Sequence, residues 1–146
     1  MGTRSITRVK ENGQTLVVIY RQYDGYISHH GRQLADFLSR RRVVNGIPIG
    51  YETDVFNGPG CLAANLISFL KKPEFGEAGN IYIHPIDASD EDYSYDVDVV
   101  TRSSSRGFYD YEELPRVTVR LWDEELFSGT SEEFQDFVAD KIHDEY

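Results

Sequence analysis

The spacing of hydrophobic and polar positions changes several times along the chain, and each change marks an element. Thr3 to Lys10 carries Ile6 and Val9 among polar residues and predicts a strand, after which Asn12-Gly13 signals a tight turn into a second strand over Thr15 to Gln22. The run Leu16-Val17-Val18-Ile19-Tyr20 is continuous and rich in β-branched residues, as expected of a central strand covered on both faces. From Ser28 to Arg41 the period lengthens. Leu34, Phe37 and Leu38 share a helical face, Ser28 is the expected N-cap, and Arg40-Arg41-Arg42 lies where the helix dipole favours cations.

Val43 to Phe56 contains Asn45-Gly46, Pro48 and Gly50 and predicts an ordered loop. A second helix is expected from Pro59 to Lys71, capped by Asn57 or Gly58. Beyond Gly79 the period falls to two. Asn80 to His84 and Tyr93 to Val99 predict strands that pair with each other across the acidic loop Asp87 to Asp92. Thr101 to Gly107 is a Ser/Arg-rich loop, Arg116 to Trp122 another strand, and Leu126-Phe127 a short one. Thr130-Ser131-Glu132-Glu133 is a capping box opening a last helix that uses Phe134, Phe137, Val138 and Ile142. The order β-β-α-α-β-β-β-α over 146 residues predicts one α+β domain, an antiparallel or mixed sheet with about three helices packed on it.

Charge changes the picture more than composition does. Residues 1–72 hold ten Lys/Arg against five Asp/Glu, whereas residues 73–146 hold five against twenty, so the net −10 is concentrated in the second half. Such a half argues against general affinity for nucleic-acid backbones, which needs clustered cations. It leaves room for nucleic-acid mimicry or simple solubility. No apolar run is long enough to span a bilayer, no signal-peptide pattern opens the chain, and the single Cys61 cannot form an internal disulfide, so a soluble cytoplasmic protein is expected. Sheet edges or apolar helix faces in a chain this size leave a homodimer open.

Three groups of residues carry candidate chemistry. Asn57-Gly58-Pro59-Gly60-Cys61 leads into a helix whose first backbone N–H groups could receive an anion, the glycines leaving the approach open. The other reading of Gly58 is a turn that needs positive φ. Cys61 at that helix start is either reactive or core. Tyr20-Arg21-Gln22-Tyr23-Asp24-Gly25-Tyr26 is dense in polar and aromatic groups at a strand exit. Arg21 could grip a phosphate, Tyr23 and Tyr26 could stack on a base, and Asp24 could accept a hydrogen bond from ribose or base, although an Arg21 to Asp24 salt bridge would explain the same residues. Arg4 and Ser5 could join this end of the sheet if the hairpin register allows. His30 and His84 are candidate general acids or bases or ligand contacts, but no nucleophile–base–acid set has recognisable spacing. Asp87, Asp90, Glu91, Asp92, Asp96 and Asp98 lack the order of a calcium loop, and no metal or cofactor is expected.

Met1-Gly2-Thr3-Arg4-Ser5-Ile6-Thr7, the Tyr20 to Tyr26 cluster, His30-Gly31, Asn45-Gly46 and Phe56-Asn57-Gly58-Pro59-Gly60-Cys61-Leu62-Ala63-Ala64 together resemble a family of small phage and bacterial proteins that carries no assigned activity. The resemblance covers about the first half of the chain, continues more weakly through Gly79 to His84 and the tyrosine-rich strand, and implies a setting, the conflict between phage and host, rather than a chemistry. In outline the chain is similar to phage sponges that sequester the nucleotide signals of bacterial immunity, a likeness of size and site type. The leading expectation is therefore a non-catalytic binder of a small phosphate-bearing nucleotide, in the host cytoplasm if phage-encoded. A phosphodiesterase acting on such a ligand and an acidic protein–protein inhibitor are the alternatives.

Overall fold

A computed structural model describes residues 2–39, 41–46, 50, 55–71, 80–103 and 109–145. The first hairpin forms where the pattern places it. β1 (Ser5–Glu11) and β2 (Gln14–Arg21) are antiparallel, and Asn12 and Gly13 turn between them at φ 49° and 82°. The register slips by one residue past Lys10, leaving Leu16 as a bulge.

The next helix starts differently from expectation. A π-helical turn, Ile27–Gly31, runs directly into α1 (Arg32–Leu38), so Ser28 is buried inside the turn and Tyr26 precedes it without a side-chain cap. The stretch read as a loop contributes β3 (Arg42–Val44) and β4 (Val55–Asn57), which pair in parallel as a separate two-stranded sheet. Strands of three residues carry too little alternation to stand out beside turn residues. Then follow α2 (Gly58–Lys71), β5 (Ile81–His84), β6 (Tyr93–Val99), β7 (Thr101–Ser103), β8 (Tyr109–Tyr111), β9 (Arg116–Leu121), β10 (Glu124–Thr130) and α3 (Ser131–Glu145). β7, at the start of the expected Ser/Arg loop, pairs antiparallel with β8, which follows that loop, and residues 104–108 between them lie outside the described residues.

The main sheet is mixed and six-stranded, in the order β10-β9-β6-β1-β2-β5, and the fold is α+β with three helices. The expected hairpin of β5 with β6 does not form. β5 takes the edge beside β2, while β6 inserts between β1 and β9, parallel to β1. Residues 85–92 must therefore cross over β2 and β1. Arg8 donates to the Ala88 carbonyl and to Asp90 from the middle of β1, which places this crossover on the sheet face opposite the helices.

Alternation of side chains gives each face its own core. On one face Val9, Ile19, Tyr95, Val97, Val117 and Val119 meet Leu34, Phe37, Leu62, Leu66, Phe134 and Val138 of the helices. On the other, Ile6 and Val18 are fully buried. That two-sided covering explains why β2 reads as a continuous hydrophobic run. The helices carry the expected apolar faces, except that the Ile142 side chain lies outside the described residues.

Asp96 ties the crossover face together. Its side chain is only 9% exposed and faces Lys10 Nζ at 2.9 Å, Arg8 Nη1 at 3.3 Å and Arg120 Nη1 at 3.7 Å. Burial alone would lower the Arg8 pKa, but Asp90 and Asp96 together outweigh it and raise it. Removing this carboxylate leaves half-buried cations facing one another. Asp96→Asn is expected to cost about 3 kcal/mol in urea denaturation, whereas Arg120→Gln, at the exposed end of the network, costs less than about 1 kcal/mol.

Candidate functional site

The register Ser5 opposite Arg21 divides the candidate residues of the β2 exit between two faces. Ser5, Thr7, Arg21 and Tyr95 face the helices, and Arg4, Tyr20 and Gln22 face the crossover. Arg4 and Arg21 do not converge.

On the helix side the π turn drives His30 into the core. The ring is fully buried, with its centroid 4.8 Å from that of Tyr95. Thr7 Oγ1 lies 2.6 Å from His30 Nε2, and Arg21 Nη1 lies 3.3 Å from Nδ1. A guanidinium only donates, so Nδ1 accepts and the ring proton sits on Nε2, donated to Thr7. His30 is thus neutral. Burial, and then the charge of Arg21, hold its pKa down at about 3.

Arg21 is fixed from three sides. Its Nε donates to the Tyr23 carbonyl at 3.0 Å and its Nη1 donates to Gln33 Oε1 as well as to His30. No ion pair to Asp24 forms. Asp24 instead turns the chain at φ 62° and offers its carbonyl to the His30 N–H at 3.1 Å. Burial lowers the Arg21 pKa, opposed by the nearby charge of Asp24. The Ser5 hydroxyl is buried without a partner, beneath Gly25, where a Cβ would come within 2.8 Å of Ser5 Cβ. Tyr26 packs its ring edge-on against His29 at 4.8 Å. This cluster locks the strand exit to the π turn. A general acid or base needs access to substrate and a pKa near the working pH, and His30 has neither.

On the crossover side a cleft of about 280 Å³ opens between Gly2, Arg4, Tyr20, Gln22, Tyr23 and Asp92. Tyr23 is 58% exposed and lies against Gly2, where a Cβ would stand 2.1 Å from the ring, so only glycine leaves the tyrosine this position. Tyr20 stacks on His84 at 4.5 Å between centroids and 15° between planes, with Tyr82 beyond at 5.9 Å. Burial and then Glu91 raise the Tyr20 pKa. Arg4 reaches Glu91 at 3.4 Å and Asp92 at 3.6 Å, and its backbone N–H donates to Asp92 Oδ2 at 3.0 Å. The structure thus gathers Arg4, Tyr23 and His84 around Tyr20, which the sequence reading placed in the strand-exit cluster without a role of its own.

The helix start lies elsewhere. Gly58 opens α2 at φ 81°, and a Cβ there would stand 3.5 Å from the Tyr111 hydroxyl, so its glycine is required by conformation. Asn57 accepts the Gly46 N–H at 2.8 Å. Gly60 is exposed, and Cys61 receives Asn65 Nδ2 at its carbonyl, 2.8 Å, and at Sγ, 3.4 Å. Tyr111 also reaches Glu11, the last residue of β1, whereas Ser5 and Arg21 stand at its first. The length of that strand, about 20 Å, separates the helix start from Arg21, so the two cannot grip one small phosphate.

The acidic residues are also accounted for within the fold. Asp96 is enclosed by cations, and Asp98 accepts the Gly13 N–H at 3.1 Å. Among the described residues, no group of His, Cys, Asp and Glu is placed to hold a metal ion, and no helix is long and apolar enough to cross a membrane. Comparison of the chain with protein-family models, with curated proteins and with solved structures gave no match.

Sequence reasoning missed Gly2 and Asp92 in the cleft and Thr7 and Gln33 in the buried cluster, and it named Gln22 in the strand-exit cluster without giving it a role. Strand parity was the available signal for Gln22, which stands two residues from Tyr20. Asp92 reaches the cleft only through the crossover, which local pattern does not encode.

The buried His30 makes stability pH-dependent. The unfolded chain takes up a proton near pH 6.5 that the folded chain refuses until about pH 3, so stability is full above 6.5 and is lost as pH falls. The expected loss is about 1.4 kcal/mol per pH unit in that window. The His30 ring signals in NMR should stay flat from pH 7.5 down to about 4.5 while those of an exposed histidine titrate.

Proposed function

We propose that this protein holds a small nucleotide-type ligand without converting it, in the cleft beside the β2 exit. The observation that carries the reading is the convergence of aromatic faces, hydrogen-bonding groups and a cation in one cleft. Tyr23 and Tyr20 present rings on which a base stacks, the latter backed by His84. The Gln22 amide and the Asp92 carboxylate can pair with the edge of a base, which supplies both donors and acceptors. Arg4 is the cation for phosphate. Its side chain is 43% exposed, and its pairs with Glu91 and Asp92 are of the partly solvated kind that a phosphate can displace at low cost.

What surrounds the cleft favours retention over turnover. His84 is engaged in stacking, His30 is sealed on the opposite face, and no nucleophile with an adjacent base lines the cavity. Within the phage and host setting implied by the sequence resemblance, this is sequestration of a nucleotide signal. An acidic decoy surface has less support, since Asp96 and Asp98 serve the fold's own cations and amides.

Calorimetry against a panel of linear and cyclic nucleotides tests the reading. Tyr23→Ala is expected to weaken binding about tenfold by loss of stacking. Arg4→Ala weakens phosphorylated ligands and leaves the bare nucleoside unchanged, and Gln33→Ala, on the other face, leaves affinity within about twofold. Ligand recovered intact only after heat denaturation, read by mass spectrometry, marks a sponge. A new product mass before denaturation marks an enzyme and refutes the proposal.

A further inference from the structure

A second cavity, unrelated to the cleft, lies between the end of α1 and the start of α3. It measures about 230 Å³ and is lined by Leu38, Arg41, Arg42, Leu114, Ser131 and Gln135, with exposed Glu132 beside them. Two observations set it apart from an ordinary helix start. The Ser131 hydroxyl is fully buried at the cavity wall and has no hydrogen-bond partner. Arg41 has no carboxylate within ion-pair distance among the described residues, yet its guanidinium is held in place over the rings of Phe37 and Phe56, 5.4 and 5.3 Å from their centroids. A cation pinned by aromatic faces keeps its N–H groups for something else. Arg42 adds a cation whose pair with Glu113, 3.7 Å apart with both side chains more than half exposed, is readily exchanged.

The capping box does not consume all the first-turn donors of α3. The Glu133 N–H goes to Thr130 Oγ1 and the Ser131 N–H to the Pro115 carbonyl, with no such partner for the Glu132 N–H among the described contacts. The positive end of the helix dipole adds to Arg41. Glu132 sets the opposite condition. Its carboxylate repels a bare dianion and accepts a hydrogen bond from an oxyanion that carries a proton.

We propose that this cavity is a binding site for a protonated oxyanion, hydrogen phosphate or the phosphate monoester of a small molecule. Arg41 and the Ser131 hydroxyl donate to its oxygens, Gln135 orients it, Leu38 and Leu114 wall the apolar side, and Glu132 receives its remaining proton. Sulfate, fully ionised and equal in shape, fits the cations but not Glu132.

The test is a titration of the whole chain with inorganic phosphate, followed by ¹H–¹⁵N NMR at about pH 6, where phosphate still carries protons, with sulfate at matched ionic strength as comparator. Saturable shifts of the Ser131 and Glu132 amides and the Arg41 Nε–H are expected with phosphate, and markedly weaker binding with sulfate. Arg41→Gln and Ser131→Ala should each weaken phosphate about tenfold. Arg41→Gln also gives up the contact with Phe37 and Phe56, so if it unfolds, Ser131→Ala decides, because it removes only an unpartnered hydroxyl. Non-saturable shifts spread over all arginines, equal affinity for sulfate, or unchanged affinity in Ser131→Ala would overturn the proposal.

Discussion

The parallel pairing of β1 with β6 is the constraint on which the other features rest. Parallel neighbours cannot be joined by a hairpin, so the chain leaving β5 at the sheet edge must travel over β2 and β1 before it can re-enter. It does so on the face opposite the three described helices. That path buries Ile6 and Val18, brings Ala88 and Asp90 to Arg8, and delivers Glu91 and Asp92 to Arg4. The cleft is a by-product of the same route: Asp92 closes it from the crossover, and Tyr20 and Gln22 floor it from the strand.

Much of the element content was legible in the sequence because it is local. Asn12-Gly13 announces its turn, the capping box at Thr130 announces α3, and alternating Tyr93, Tyr95, Val97 and Val99 announce a strand with one buried face. Pairing was not legible, because strand periodicity says which residues share a face and not which strand lies beside them. Nor was the register of the first hairpin. With an unbroken two-residue turn, Glu11 opposite Gln14 would have continued to Arg4 opposite Arg21, the convergence the residues suggest. The bulge at Leu16 advances the register by one, so that Ser5 meets Arg21 and Arg4 is sent to the other face. One residue thus decides the composition of the site.

The two faces of the β2 exit illustrate how similar residues take different roles by burial. On the helix side, Arg21, His30, Thr7 and Gln33 satisfy one another, with the imidazole kept neutral so that it can accept from the guanidinium. Such a network specifies a structure, and its members are spent on it. On the crossover side, Arg4 is partly exposed and loosely paired and Tyr23 is exposed, beside half-buried Tyr20, which is the condition for exchange with a ligand. The helix start at Gly58 belongs to neither. Its glycine answers a backbone requirement near Tyr111 at the far end of the sheet.

The central claim is that a nucleotide base lies on the tyrosines of the crossover face. Intermolecular NOEs between a bound nucleotide and the protein test it most directly, with aromatic side chains assigned. The account predicts contacts from the base protons to the rings of Tyr20 and Tyr23. Contacts instead to Tyr26 and His29, or to residues around Cys61, would place the ligand on the helix face or at the α2 start and contradict it.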